Sequence, residues 1–414
     1  MEAALRITNC RVMTPQGVIR GGLAIDKGKI VAIATDAGLP SAHESIDGGG
    51  RHLLPGVIDG HVHFREPGLT HKEDFETGSR AAARGGVTTV LDMPNTLPPV
   101  ETADILRDKA SLLAQRSLVD YGLIAVVTDR NLDRIPELAG AGAIAYKIFL
   151  GPTTGDLPSP DDGQIVEALG KIAPTGLPIG VHAENPQIIA AATARLKLLG
   201  RTDPKAHAEA RPALAEAESI QRMILFAQAS GARLHIFHMS SKEGVELVRR
   251  GKADGVNVTA ETCPHYLILT AEDMARLGPT TKINPPLRGP EDIEALWAGI
   301  HDGTVDFVAT DHAPHTAEEK THPLIWENAS GASSVQFFLP LMLEQVARGC
   351  LTLADLARVT AEAPARMYGL YGRKGAIAVG SDADLTLVDL DRRDTVRAAD
   401  MENKVRLTPF EGTE

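Results

Sequence analysis

His61-Val62-His63-Phe64-Arg65-Glu66-Pro67-Gly68 places two imidazoles and a guanidinium at alternate positions of a short segment. The apolar run Leu53-Leu54-Pro55-Gly56-Val57-Ile58 ahead of it reads as a short buried strand. Side chains alternate along a strand, so His61, His63 and Arg65 fall on one side of it. Two imidazoles on one side of a strand end can grip a divalent metal ion. A guanidinium beside that ion forms an anion clamp, and the combination points to hydrolysis of an acidic substrate. Two histidines on one strand face are also common without a metal, so the pair gains meaning only from partners elsewhere in the chain.

Those partners recur in similar settings. Lys147 lies within Ala145-Tyr146-Lys147-Ile148-Phe149, and His182 ends Pro178-Ile179-Gly180-Val181-His182. His238 ends Arg233-Leu234-His235-Ile236-Phe237-His238, and Asp311 follows Val305-Asp306-Phe307-Val308-Ala309. Each stretch reads as a buried strand. A lysine there is costly, because desolvation disfavours its charge. Four His, one Asp and one Lys suit two borderline-soft divalent ions, zinc above all. An ammonium is a poor ligand, but an N-carboxylated Lys147 becomes a carboxylate able to bridge two ions. Metal ions lower the pKa of bound water to about 7, which supplies a nucleophile at neutral pH. Asp311 can bind one ion and carry a proton to a leaving nitrogen, the catalytic role expected of it.

The elements that hold these residues follow from pattern. With the strand before His61, eight stretches read as buried parallel strands, and most are separated by helical periodicity such as Thr102–Gln115 and Ala213–Ser230. Eight β/α units indicate an α/β fold, a (β/α)8 TIM-like barrel, with its active site at the strand C-termini. Both ends of the chain alternate as short antiparallel strands between glycine turns, including Gly375–Gly380 and Ala383–Val388. Chain termini often lie close together, so residues 1–52 plus 366–414 are expected to form a small composite β-sandwich domain, and residues 53–365 the barrel.

Composition narrows the function classes. With 43% hydrophobic and 23% charged residues, the chain has the make-up of an ordinary globular protein. A net charge of -12 argues against nucleic acid as a partner. No apolar run is long enough to span a bilayer, and the N-terminus lacks the marks of a signal peptide. Cys10, Cys263 and Cys350 are too scattered for a disulfide framework, so a reduced, cytoplasmic location is expected.

Taken together, the motifs resemble those of a known family. The segments Pro55–Gly68, Met93-Pro94-Asn95-Thr96, Tyr146–Phe149, His182-Ala183-Glu184, His238-Met239-Ser240, Asn284-Pro285-Pro286-Leu287-Arg288 and Thr310–Thr316 run across nearly the whole chain. They resemble the cyclic amidohydrolases of the amidohydrolase superfamily, and most closely the dihydroorotases. The resemblance implies metal ligation by His61, His63, Lys147, His182, His238 and Asp311. It implies substrate-carboxylate contacts at Arg65, Asn95 and His315, and a further substrate contact at Asn284. It implies a small anionic substrate, with reversible cyclisation of N-carbamoyl-L-aspartate to dihydroorotate in pyrimidine synthesis. A homodimer, and contact with an aspartate carbamoyltransferase, also come with it.

The sequence departs from the family pattern in two places. Some dihydroorotases replace the bridging lysine with a downstream aspartate, for which Asp156, Asp161 and Asp162 are available here. Lys147 is favoured because it sits within a strand. The family pattern continues with more β structure beyond Thr408-Pro409-Phe410-Glu411-Gly412, whereas this sequence stops at Glu414, so closing strands of the composite domain are expected to be lacking.

Three functions compete. Allantoinase-like chains tend to carry Asn at the position of Arg65, and hydantoinases lack the Arg-Glu-Pro-Gly run. Arg65 with Asn95 therefore favours a ring that bears a carboxylate. A catalytically silent scaffold is the third, but such relatives lose metal ligands and this chain keeps all six. Elsewhere, Cys263 and His265 are expected to pack in the core, and His207 and Arg211 to order a loop. Ala317-Glu318-Glu319-Lys320 reads as a solvated, mobile surface beside His315 that could close over substrate.

Overall fold

The computed structural model describes residues 2–154 and 157–414. Asp156, one alternative to Lys147, lies outside them. The strands are β1 (Ala3–Thr14), β2 (Gly17–Asp26), β3 (Lys29–Ala34), β4 (Ala42–Asp47), β5 (His52–Pro55), β6 (Val57–Val62), β7 (Val87–Asp92), β8 (Asp120–Val126), β9 (Ala145–Phe149), β10 (Pro178–His182), β11 (Arg233–Ile236), β12 (Val258–Thr262), β13 (Phe307–Val308) and β14 (Leu385–Val388). They form a six-stranded sheet and an eight-stranded barrel.

In the small sheet the order is β14-β5-β1-β2-β3, with β4 also paired to β1. β14 runs antiparallel to β5, so a strand from the C-terminal side completes the N-terminal sheet. Val12, Leu23, Ile30, Leu53 and Ile377 fill its core. The expected strand Gly375–Gly380 is irregular. Gly375 and Gly380 take φ of +88° and +95°, which turns the backbone out of an extended pairing. Ile377 is still buried.

The barrel strands β6 to β13 lie in chain order, and all neighbours are parallel. The segment after β13 returns to β6 through a parallel bridge between Val62 and His312. His63 N donates to His312 O across that seam at 2.7 Å. The apolar run Leu53–Ile58 is therefore two strands rather than one. β5 pairs with β1 and β14, and after Gly56 the chain enters the barrel as β6 beside β7.

Helices cover the barrel by burying one stripe each. In Ala213–Ser230 the buried positions include Ile220, Met223, Ile224 and Ala227, the spacing of a single face. Beneath the strand C-termini, Leu91, Ile124, Ala145, Phe237 and Phe307 pack with Met367 and Tyr368 as an apolar plug. Gly180 makes room in it, since a Cβ there would lie 1.8 Å from the Phe237 ring. After β14 the chain returns to the barrel, where Val396, Met401 and Phe410 join the core. Among the described residues no helix is long and apolar enough to cross a membrane.

Candidate active site

Of the ten residues singled out by sequence, nine line one cavity of about 240 Å³: His63, Arg65, Asn95, Lys147, His182, His238, Asn284, Asp311 and His315. His61 lies directly behind it, fully buried, 3.2 Å from Asp311 Oδ1 through its Nε2. The convergence comes from the strands. His61 sits near the end of β6, Lys147 in β9 and His182 at the end of β10, while His238 and Asp311 lie just past β11 and β13.

Three of these residues hold backbone conformations that L side chains rarely adopt. Arg65, His238 and Asp311 have φ of +64°, +38° and +46°. Such conformations cost roughly 1–3 kcal/mol each and persist where surrounding structure enforces them, often at functional sites. Here the enforcement near Asp311 is visible. Asp59 accepts from Thr310 N at 3.0 Å and from Thr310 Oγ1 at 2.6 Å, which ties β6 to the segment leading into Asp311.

The imidazoles are oriented from behind. His61 Nδ1 donates to Glu261 Oε1 at 2.5 Å, leaving Nε2 toward Asp311. His63 Nδ1 donates to Asn95 Oδ1 at 2.7 Å, leaving Nε2 3.2 Å from Asp311 Oδ1. His182 Nε2 meets Glu184 Oε2 at 2.9 Å, and its Nδ1 is 3.0 Å from His238 Nε2. A carboxylate or amide oxygen behind a histidine fixes its tautomer and raises the basicity of its free nitrogen.

Electrostatics favour neutral imidazoles beside an ionised carboxyl. Burial, reinforced by Lys147, pulls His61 well below its usual pKa; burial pulls His238 well below as well and lowers His63. Burial alone would raise Asp311, but the adjacent His63 holds it below the ordinary carboxylate value. Glu184 behaves alike: burial opposes its charge, while Arg211 and His182 keep it ionised. Burial draws Lys147 down to about 7.

A metal fits these residues. His61, His63 and Asp311 offer donor atoms within 4.8 Å of one another. His61 Nε2, His238 Nδ1 and Lys147 Nζ are buried without a hydrogen-bond partner. Buried polar atoms are rarely left so, and divalent ions are natural partners for free imidazole nitrogens. Lys147 Nζ has a different neighbour, the Phe237 ring, at 3.8 Å from its centroid. Asp161 caps the helix Asp162–Ile172, and Asp162 pairs with Arg222, so neither lines the cavity.

The opposite end of the cavity is cationic. Arg65 is 2% exposed, with Nε toward Pro314 O and Nη2 3.3 Å from His315 Nε2, while Nη1 has no partner. Burial lowers its pKa to about 10, which leaves it charged at neutral pH. Asn284 adds a buried Oδ1 that is also without a partner.

Several residues that hold this site stand outside the set expected from sequence. Glu261 is one, although a buried charge at the end of β12 is the same signal that marks the other strands. Lys72, beside His315, carries no such signal. Arg211 orders a loop by pinning Glu184, and His207 Nε2 holds Ile283 O at 2.8 Å, just before Asn284. Cys263 and His265 are buried as expected. In the stretch Ala317–Lys320, Ala317 and Glu318 are exposed as expected, but Lys320 is not. The stretch is a helical turn in which Lys320 is buried, its Nζ donating to Lys282 O, Ala329 O and Gly331 O at 2.9, 3.2 and 2.8 Å. Ammonium-to-carbonyl bonds, invisible in a charged tetrapeptide, hold it in place.

The chain is similar to known proteins along its length. The model of the amidohydrolase family matches residues 52–414. An allantoinase of Deinococcus radiodurans is 39% identical over 418 residues, covering 100% of this chain and 93% of the relative. A dihydroorotase of Methanosarcina mazei is 38% identical over 416 residues, covering 99% and 90%. Among solved structures, the L-hydantoinase (dihydropyrimidinase) of Arthrobacter aurescens superposes with a TM-score of 0.97 at 35% identity, covering 99% of this chain and 92% of that one.

Proposed function

Because the chain belongs to the amidohydrolase family, we propose that it interconverts a carboxylate-bearing cyclic amide and its open form, namely dihydroorotate and N-carbamoyl-L-aspartate. The broader activity, metal-dependent hydrolysis of cyclic amides, is the premise shared with its relatives. The observation that carries the narrower reading is Arg65. A buried guanidinium with a free Nη1, in a cavity shared with Asn95 and His315, is a group awaiting an acceptor. A ring carboxylate supplies one in the planar geometry that arginine matches.

The roles follow from position. His61, His63, Lys147, His182, His238 and Asp311 would hold two divalent ions, zinc first, with Lys147 carrying its nitrogen as an N-carboxylate. When bound, such ions supply Lewis acidity and a hydroxide nucleophile at neutral pH. Asp311, 3.2 Å from two imidazoles, would accept the nucleophile's proton and return it to the departing ring nitrogen. Arg65 and His315 bind the carboxylate, and Asn284 Oδ1 offers an acceptor for a ring N–H. Asn95 both lines the cavity and orients His63.

The test is turnover of dihydroorotate, allantoin and hydantoin by the metal-loaded enzyme, before and after chelation. Dihydroorotate should be the best substrate, and chelation should abolish its turnover. A preference for either other ring, with dihydroorotate inert, would overturn the reading. That outcome would favour the second reading, a neutral cyclic amide, which draws support from the names borne by the similar allantoinase and L-hydantoinase.

A further inference from the structure

We propose that Lys72 and Glu319 are positioning residues that set the tautomer of His315, so that its Nε2–H is offered to an anionic substrate. The proposal rests on the carboxylate-binding reading above and adds the groups that make His315 a donor.

His315 is almost fully buried and stands between two cations. Its Nε2 is 3.3 Å from Arg65 Nη2, and its Nδ1 is 3.1 Å from Lys72 Nζ. Glu319 completes the cluster, with Oε1 2.7 Å from Lys72 Nζ and Oε2 3.4 Å from His315 Nδ1. Burial, then the nearby Arg65 and Lys72, keep the imidazole neutral. A neutral imidazole has one N–H and one lone pair, so it cannot accept from both cations at once.

Two arrangements are open to it. With the proton on Nδ1, His315 donates to Glu319 and its Nε2 lone pair accepts from Arg65. That leaves Nδ1–H facing Lys72 Nζ at 3.1 Å, donor against donor. With Lys72 donating to Nδ1, the proton sits on Nε2 and faces Arg65 Nη2, donor against donor. Each arrangement therefore opposes one cation in the empty site, and only the second is relieved when an acceptor comes between Arg65 and His315, where a carboxylate would take both N–H groups. Lys72 and Glu319 present a donor and an acceptor to the same nitrogen, so either tautomer keeps a partner there. A neutral ring gains nothing from the change.

The scaffold fixes this pair. Thr316 caps the turn Ala317–Lys320, its N donating to Glu319 Oε2 at 3.0 Å. Lys320, the next residue, is anchored by its three carbonyls. Glu319 is thereby held toward Lys72, which is itself buried.

The test compares dihydroorotate with dihydrouracil, the same ring without the carboxylate, on metal-loaded enzyme. Lys72→Met should raise KM for dihydroorotate about tenfold, the equivalent of about 1.4 kcal/mol, with kcat changed less than about twofold. Its kcat/KM for dihydrouracil should move less than about twofold, and Lys72→Arg should recover most of the dihydroorotate KM. Nitrogen-15 spectra of labelled histidine should show the Nε2–H form of His315 predominating with N-carbamoyl-L-aspartate in the unmutated enzyme and not in Lys72→Met. An unmoved KM with normal turnover, or equal losses on both substrates, overturns the Lys72 role alone. Failure of the unmutated enzyme to turn over dihydroorotate removes the proposed reaction, and this role with it.

Discussion

The strand-end wall of the cavity and its loop wall are built on opposite plans. On the strand side, Glu261, Asn95 and Glu184 each take one nitrogen of a histidine, and the site keeps free ends at His61 Nε2, His238 Nδ1 and Lys147 Nζ. On the loop side Lys282 and Lys320 are saturated. Lys282 Nζ reaches Ile325 O, Trp326 O and Asn328 O, and Lys320 Nζ reaches three more carbonyls. The difference sorts buried charge by purpose. A group left with an unsatisfied atom is available to a ligand, whereas a group whose protons are all taken shapes the backbone. Gly331 shows what that shaping requires: a Cβ there would lie 2.2 Å from Ala313 O, so the loop packs against the strand-end segment backbone to backbone.

The largest effect expected from breaking either wall is at Asp311. Asp311→Asn keeps the shape and removes the proton carrier, so kcat should fall by roughly 10²–10⁴-fold, the usual worth of a positioned acid–base group. Thermal denaturation should move little. A variant that lost stability and kept turnover would erase the distinction between the walls. Glu261→Gln should come next. It weakens the acceptor behind His61, and metal affinity should drop roughly 10–100-fold, as for other groups that orient a ligand. Metal titration of the chelated protein measures it, and unchanged affinity would mean that His61 is oriented by packing alone.

The two walls also differ in how far the sequence reveals them. Residues on the strand side stand out because charge in an apolar strand is anomalous, and strand alternation then says which way they point. That reasoning brings His61, His63, Lys147, His182, His238 and Asp311 to one end of a barrel before any coordinates exist. It reaches the barrel itself for the same reason. It does not reach the division of Leu53–Ile58 between two sheets, because both halves are equally apolar and only pairing separates them. Nor does it reach Gly375–Gly380, where two left-handed glycines outweigh an apolar alternation. On the loop side the sequence is nearly silent. Lys72, Glu319 and Lys320 look like solvated surface, since no pattern marks their partners: His315 for the first two, and the carbonyls of Lys282, Ala329 and Gly331 for the third.

Lys320 offers the smallest effect and the sharpest separation of the walls. Its ammonium has three protons and three carbonyl acceptors, from Lys282, Ala329 and Gly331. Lys320→Met keeps the apolar stem and removes all three bonds. Lys282 O still accepts from Gly331 N, so one of the three carbonyls retains a partner. Leaving buried carbonyls unpaired costs about 1–3 kcal/mol, and relief from burying a charge offsets part of that. The net loss of stability should therefore sit at the lower end of this range and appear as a modest fall in Tm. Ala329 and Gly331 line the cavity, so KM for the ring substrate should rise as the wall loosens. Metal content should not change, because all three carbonyls that Lys320 holds belong to the loop side. A Lys320→Met enzyme that shed its metal would show that the walls are one structure rather than two.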